Sequence, residues 1–157
     1  KDFQLDDRDV EVKTTTREGA ARHMVHGLDQ LASNGSRPLE LFSCRIRQSP
    51  GGRTVSDLVS EVESDIAGDQ VRIDGFNDGL AGYGFWPGKP GLESFEVEDE
   101  RLYRVEGDFP RLTRASLKGD LPRGIPDNTV HYELNLDGCG EWLVTDSPPH
   151  PGVESGS

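Results

Sequence analysis

Alternating polarity predicts a β-strand near the start of the chain. Between residues 9 and 16, Val10 and Val12 alternate with Glu11 and Lys13, which is the two-residue period of a strand with two different faces. Because side chains two apart lie on the same side of a strand, Glu11 and Lys13 are expected side by side. The opposite, apolar face consists of Val10, Val12 and Thr14.

A second short strand is expected just upstream. Residues 2–5 have strand character, and residues 6–8 are suited to a tight polar turn. A hairpin of this length brings Asp2 back beside Glu11.

Two carboxylates and one lysine then meet on adjacent strands. Asp2, Glu11 and the backbone carbonyl of Val12 offer oxygen ligands of the kind that a largely hydrated Mg²⁺ prefers. Lys13 is suited to orienting or deprotonating a water molecule, or to neutralising developing negative charge. The same residues also fit an ordinary cross-strand ion pair, because acid–any–lysine is a common short pattern.

The next apolar pattern has the period of a helix. A helix is predicted over residues 18–33. Thr15 and Glu18 have the spacing of a capping box at its start, and residues 34–35 (Asn-Gly) are a stop signal at its end. The predicted apolar stripe consists of Ala21, Met24, Val25, Leu28, Leu31 and Ala32. This stripe is expected to cover the apolar face of the preceding strand. Residues 39–47 alternate again and predict another strand of the same sheet.

Less regular patterns follow a Gly- and Pro-rich joint at residues 49–53. Thr54 is placed to cap a helix, and residues 70–85 predict a second, shorter helix. Predicted further downstream are a hairpin over residues 92–105 turning at 98–100, strands over 129–136 and 141–144, and disorder from residue 146.

The order of the N-terminal motifs resembles the PD-(D/E)XK nuclease superfamily. Its signature is an acid closing one strand and acid–any–lysine on the next, matched here by Asp2 and by Glu11-Val12-Lys13. More narrowly, "EVKTT", "RHMVHGLDQL", "LELF" and "YRVEGDFPRL" resemble a bacterial family found among restriction and phage-defence genes. The resemblance extends from about Asp2 to Cys139. It implies an α/β fold in which a restriction-endonuclease-like mixed sheet is flanked by helices, with an acidic α+β C-terminal extension.

The resemblance also implies roles for individual residues. Asp2, Glu11 and the Val12 carbonyl are expected to bind Mg²⁺, with Mn²⁺ as a substitute, and Lys13 to assist the nucleophile or the charged transition state. Gln30, on the predicted helix, is expected to face the metal site. The residues expected to contact DNA are Thr14, Thr15, Thr16, Arg22 and His23. The superfamily core normally has a helix and a strand ahead of its catalytic aspartate, so a missing N-terminal part is expected here.

Charge is distributed unevenly along the chain. The net charge is −12, which is unusual for an enzyme that binds DNA, but residues 1–53 carry nine Lys and Arg against eight Asp and Glu. The acidic residues are concentrated in residues 54–157, which carry eight Lys and Arg against twenty-one Asp and Glu. We therefore expect a catalytic half over 1–53, an extension of the same domain over 54–145 and a tail over 146–157. No membrane-spanning or signal segment is recognisable, and a cytoplasmic protein is expected.

Two functions from different classes fit these patterns. The first is a metal-dependent DNA endonuclease of the restriction or phage-defence type, working as a homodimer or with other defence-system subunits. The second is a catalytically weak, nuclease-like module that binds DNA or protein within a defence complex, for which the acidic half would steer partners.

Overall fold

A computed structural model of the chain describes residues 1–19, 21–33, 35, 37–86, 93–117 and 124–145. In that part of the chain, four strands are followed by two α-helices and then by three more strands. The elements in order are β1 (Phe3–Gln4), β2 (Asp9–Thr15), β3 (Arg22–His26), β4 (Leu39–Arg53), α1 (Val55–Asp65), α2 (Gln70–Gly82), β5 (Phe95–Arg104), β6 (His131–Asn135) and β7 (Leu143–Thr145). Two short 3-10 helices, Asp127–Thr129 and Gly140–Trp142, precede β6 and β7.

A mixed five-stranded sheet carries the N-terminal hairpin. Its strand order is β1-β2-β4-β5-β7, with β1 antiparallel to β2 and β2 parallel to β4. The predicted hairpin is confirmed, since Phe3 pairs with Val10. The parallel register sets Glu11 opposite Leu41 and Lys13 opposite Ser43. The strand predicted over residues 39–47 is also confirmed and continues to Arg53.

The helix predicted over residues 18–33 is wrong. Residues 22–26 form β3, which pairs antiparallel with β6 in a separate two-stranded sheet. Gly19 and Gly27 both have positive φ angles, whereas residues in an α-helix have negative φ angles. The chain is also closely packed at Gly27, where a Cβ would lie 3.4 Å from the Cα of Asn128. Strand alternation also separates two residues of the predicted stripe, so that Val25 is fully buried while Met24 is 43% exposed.

The face of β2 that packs on the core is the charged one. Glu11 is buried, whereas Val10 and Val12 are half-buried and Thr14 is exposed. The β3–β6 pair lies on this charged face, as the hydrogen bond between His23 of β3 and Ser43 of β4 shows. The core of this region consists of Ala21, Val25, Leu31, Leu39, Leu41, Tyr103, Val105, Phe109, Leu134, Leu136 and Cys139.

The downstream elements match their predictions unevenly. Thr54 caps α1 through a reciprocal capping box with Asp57, as its sequence position indicates. The prediction of a hairpin that turns at residues 98–100 is wrong, because β5 runs unbroken from Phe95 to Arg104. Its acidic run is accommodated within the strand, where Glu98 forms an ion pair with Arg45 of β4 at 3.3 Å. The tail predicted from residue 146 lies outside the described residues.

Two compact units divide the chain in an interleaved way. One contains residues 1–46 together with the chain from Val97 onward, and the other contains Arg47–Glu96 with both helices. The division into a catalytic half over 1–53 and an extension over 54–145 concerns function along the chain and stays a prediction. None of the helices in the described ranges is long and apolar enough to cross a membrane.

Gly52 predicts a sharp steric constraint on the pairing of β4 and β5. A Cβ built on Gly52 would lie 2.4 Å from the carbonyl carbon of Phe95, whereas one on neighbouring Gly51 meets only the Glu96 carboxylate at 3.8 Å. Gly52→Ala must therefore displace backbone, and we expect it to lower the free energy of unfolding by about 1–3 kcal/mol, the usual cost of overpacking. Urea unfolding of Gly52→Ala beside the control Gly51→Ala tests this, and equal stability of the two variants would contradict it.

Candidate active site

Lys13 lies at the centre of a buried polar cluster. Its ammonium is 2.9 Å from Glu11 Oε1 and donates a hydrogen bond of 2.8 Å to Gln30 Oε1. The side chains of Lys13 and Glu11 are only 13% and 4% exposed. The ion pair is thus largely withdrawn from water. Electrostatic interactions in the protein interior are stronger than at the surface, because the interior screens charge less.

Gln30 reaches Lys13 from the loop that follows β3. The flanking residues Leu28 and Leu31 are fully buried and anchor this loop in the core. Gln30 Oε1 also accepts a hydrogen bond of 2.8 Å from the backbone N–H of His26. One amide oxygen therefore ties the end of β3 to the lysine of β2 and holds the lysine in place.

Lys1 was missed by sequence reasoning, although it fastens the same loop. Its ammonium donates to the backbone carbonyls of Asp29, at 2.8 Å, and Gln30. Burial lowers the pKa of Lys1, and the negative charges of Glu11, Asp9 and Asp29 oppose that shift. No pattern of hydrophobic positions points to this contact, because it depends on the path of the loop.

Asp2 lies directly before β1, at the open edge of β2. Its Oδ2 accepts a hydrogen bond of 2.7 Å from the backbone N–H of Val12, in the place of a strand carbonyl. The N–H and C=O of one strand residue point to the same neighbour, so the Val12 carbonyl faces this edge too. The register Phe3–Val10, continued by one residue, sets Asp2 opposite Glu11.

The oxygen donors of Asp2, Glu11 and Val12 are of the chemical kind that a hard divalent cation accepts. Asp2 and Glu11 would supply carboxylate oxygens, and Val12 a carbonyl oxygen. Within the described ranges no group of three or more His, Cys, Asp or Glu side chains converges on a metal-binding position. Two carboxylates and a carbonyl are the sparse protein ligation that Mg²⁺ accepts, since it keeps several of its waters.

A polar cleft opens beside Lys13. It has a volume of about 440 Å³ and is lined by Lys13, Thr14, Thr15, Thr16, Arg17, Arg22, His23, Met24 and His26. All five residues expected to contact DNA lie on its wall, together with Arg17 and His26, which were not among the expected contacts. Arg17 and Arg22 meet at one acid, Glu133, which contacts Arg17 and lies 3.6 Å from Arg22.

His23 is a buried, neutral member of this wall. It is 3% exposed, its Nε2 lies 2.8 Å from Ser43 Oγ, and its Nδ1 has no hydrogen-bond partner in the described structure. Burial lowers the pKa of His23 to about 4, the positive charge of Lys13 acts in the same direction, and a backbone contact with Thr14 opposes them. His23 is therefore uncharged near neutral pH and cannot bind a phosphate as a cation.

Not every arginine of the molecule is available to a phosphate. Arg111 donates hydrogen bonds of 3.0 Å to the carbonyls of Leu31 and Val105, which makes it part of the scaffold. Arg114 pairs with Asp127. Arg17 and Arg22 also have an acidic partner in Glu133, but they line the same cleft as Lys13, where an anionic ligand would meet three positive side chains.

The parallel strands β2 and β4 belong to a mixed α/β fold, and β2 carries the acid–any–lysine sequence. This combination is that of a restriction-endonuclease-like protein. Comparison with known families agrees. Residues 1–137 match the family described as "Putative PD-(D/E)XK family member, (DUF4420)", and the chain belongs to that family. The searches of curated proteins and of solved structures found no match.

The depressed pKa of His23 predicts a specific loss of stability in acid. The unfolded chain binds a proton at His23 below about pH 6.5, whereas the folded protein does so only below about pH 4. Stability should therefore fall as the pH drops through this window, by up to roughly 3 kcal/mol, because the unfolded state holds the extra proton. His23→Gln removes this titration, so the gap between the two unfolding free energies should change between pH 7 and pH 4. Parallel pH profiles for the two proteins would contradict the assignment.

Proposed function

We propose that this protein is a Mg²⁺-dependent endonuclease that hydrolyses DNA phosphodiesters at the Glu11–Lys13 site. The observation that carries the proposal is the placement of Lys13. Its ammonium is fixed by Glu11 and Gln30, and Lys13 lines a cleft whose walls also carry threonines and arginines. Membership of a nuclease-like family makes DNA the substrate to expect.

Asp2, Glu11 and the Val12 carbonyl would hold the cation. When bound, Mg²⁺ supplies charge that polarises the scissile phosphate and favours ionisation of a water. Glu11 would serve both the cation and Lys13, since its contact with Lys13 uses Oε1 and leaves its second carboxylate oxygen for the cation. Asp2 would use the oxygen that Val12 N–H does not occupy.

Lys13 acts on the reacting phosphate in this mechanism. An ammonium has three N–H donors, and the contacts with Glu11 and Gln30 account for two of them. The third is directed to an attacking water or to a phosphate oxygen. A positive charge fixed in a partly buried site costs no reorganisation during the reaction, which is how such groups stabilise a transition state.

The cleft would hold the DNA backbone. Thr14 and Thr16 are exposed and offer hydroxyl groups, while Thr15 is buried and its Oγ1 accepts a hydrogen bond of 3.2 Å from the Arg17 N–H. Arg17 and Arg22 are held at the mouth by Glu133, and a phosphate would compete with that acid for them. His23 is buried and uncharged, so it would support the cleft wall without binding a phosphate.

The biological setting belongs to the proposal as well. The restriction or phage-defence role rests on the sequence motifs. Enzymes that cut both strands of DNA usually use two active sites, so a homodimer or a partner subunit is part of the proposal. A cytoplasmic location goes with DNA as substrate. A nuclease-like module with weak catalysis is the competing function, and the experiment below separates the two.

Substitutions at Glu11 and Lys13 should separate metal binding from chemistry. Glu11→Gln keeps the shape but removes a negative ligand, so it should weaken Mg²⁺ binding and abolish cleavage. Lys13→Ala should keep the cation and lose about a hundredfold or more in rate, because its role is at the water or the transition state. The measurement is Mg²⁺- or Mn²⁺-dependent nicking of plasmid DNA. Metal binding is measured separately by calorimetry.

Glu61→Gln is the matched control for these variants. It is the same chemical change at a residue of α1 that forms an exposed ion pair with Arg53 of β4, and it should leave both activity and fold unchanged. Equal nicking by the parent, Glu11→Gln and Lys13→Ala would show that the cluster is an ordinary cross-strand ion pair. DNA binding by the parent without any nicking would favour the binding module.

A further inference from the structure

Two histidines face each other across the β3–β6 pair. His26 and His131 are register partners, both are exposed, and their Nδ1 atoms are 3.0 Å apart. The ring centroids are 4.8 Å apart with an interplanar angle of 68°. This contact is a hydrogen bond from one imidazole to the other, and a metal ion bound by both rings would replace the proton they share.

We propose that His26 and His131 form a binding site for a divalent transition-metal ion that prefers tetragonal or octahedral geometry, of the Cu²⁺ or Ni²⁺ kind. Neutral imidazole nitrogens are preferred ligands of these ions, whereas Mg²⁺ selects oxygen. The site is therefore chemically distinct from the carboxylate set at Asp2 and Glu11. Its test does not depend on the proposed nuclease activity, although His26 also lines the cleft beside Lys13.

The spacing of the two nitrogens is compatible with tetragonal or octahedral geometry. With metal–nitrogen bonds of about 2.0–2.1 Å, a separation of 3.0 Å corresponds to an N–metal–N angle of about 95°. That is close to the right angle between neighbouring ligands in square-planar or octahedral complexes. A tetrahedral Zn²⁺ site needs the nitrogens about 3.3–3.4 Å apart, so the pair would have to open.

The surroundings leave the remaining coordination positions to water. Met24 and Glu133 are the adjacent register pair on the same face, but Glu133 is engaged by Arg17 and Arg22. Within the described residues no third His, Cys, Asp or Glu joins the two histidines in a metal-binding group. The site is thus a two-point chelate with open positions.

The pair is connected to the Lys13 cluster without being part of it. The backbone N–H of His26 donates to Gln30 Oε1, which also accepts from Lys13. This contact uses the main chain, so it survives replacement of the His26 side chain. Variants at the pair therefore test metal binding while the polar cluster stays assembled.

The test is calorimetric titration of the tag-free full chain with Ni²⁺, in the absence and presence of excess Mg²⁺. We expect one Ni²⁺ per chain, and we expect His26→Ala and His131→Ala each to weaken binding at least about tenfold, since each removes one of two ligands. His150→Ala is the matched control and should bind as the parent does. With Cu²⁺, electron paramagnetic resonance should show coupling to two nitrogens, which the double variant loses.

Several outcomes would overturn the proposal. Unchanged binding in His26→Ala or His131→Ala, or loss of binding in His150→Ala, would place the ion elsewhere. Displacement of Ni²⁺ by Mg²⁺ would assign it to the carboxylate set. Tighter binding of Zn²⁺ than of Ni²⁺ by the same two histidines would contradict the tetragonal geometry. Circular dichroism of each variant checks that it is folded.

Discussion

The ion pair between Lys13 and Glu11 is the constraint on which the rest of this region depends. Two opposite charges lie on a strand face that the β3–β6 pair largely covers. Removing either partner would leave a buried charge unpaired, which costs about 3–5 kcal/mol in well-studied proteins. Gln30 completes the arrangement by giving the ammonium a second, uncharged acceptor.

Covering this charged face has a consequence for the other side of the sheet. Val10 and Val12 are only half-buried, although their side chains are the apolar ones. A site that must exclude water needs neighbouring elements on its own face, and β3 with its following loop provides them. Leu28 and Leu31 anchor that loop, so hydrophobic burial supplies the free energy that holds the polar contacts in register.

Local signals in the sequence predicted the elements that depend on neighbours in the chain. The hairpin at residues 2–15 and the Thr54 cap were found because turn and cap chemistry acts within a few residues. β3 was missed because its pairing partner, β6, lies more than a hundred residues away and the apolar spacing of residues 21–31 also fits a helix. Gln30 was expected near the metal site from a helix and reaches Lys13 from a loop instead. Its proximity to the site followed from family resemblance, and its route could not.

The central claim is that a divalent cation binds at Asp2, Glu11 and the Val12 carbonyl, although most acidic residues of the protein lie in residues 54–157. Paramagnetic broadening by sub-stoichiometric Mn²⁺ in the amide NMR spectrum locates that ion directly. The account predicts that signals of residues 2 and 11–13 broaden first, and that Glu11→Gln abolishes the effect. Earlier broadening at the acidic face of α1, around Asp57, Glu61 and Asp65, would contradict it, because the metal site would then lie outside the N-terminal hairpin.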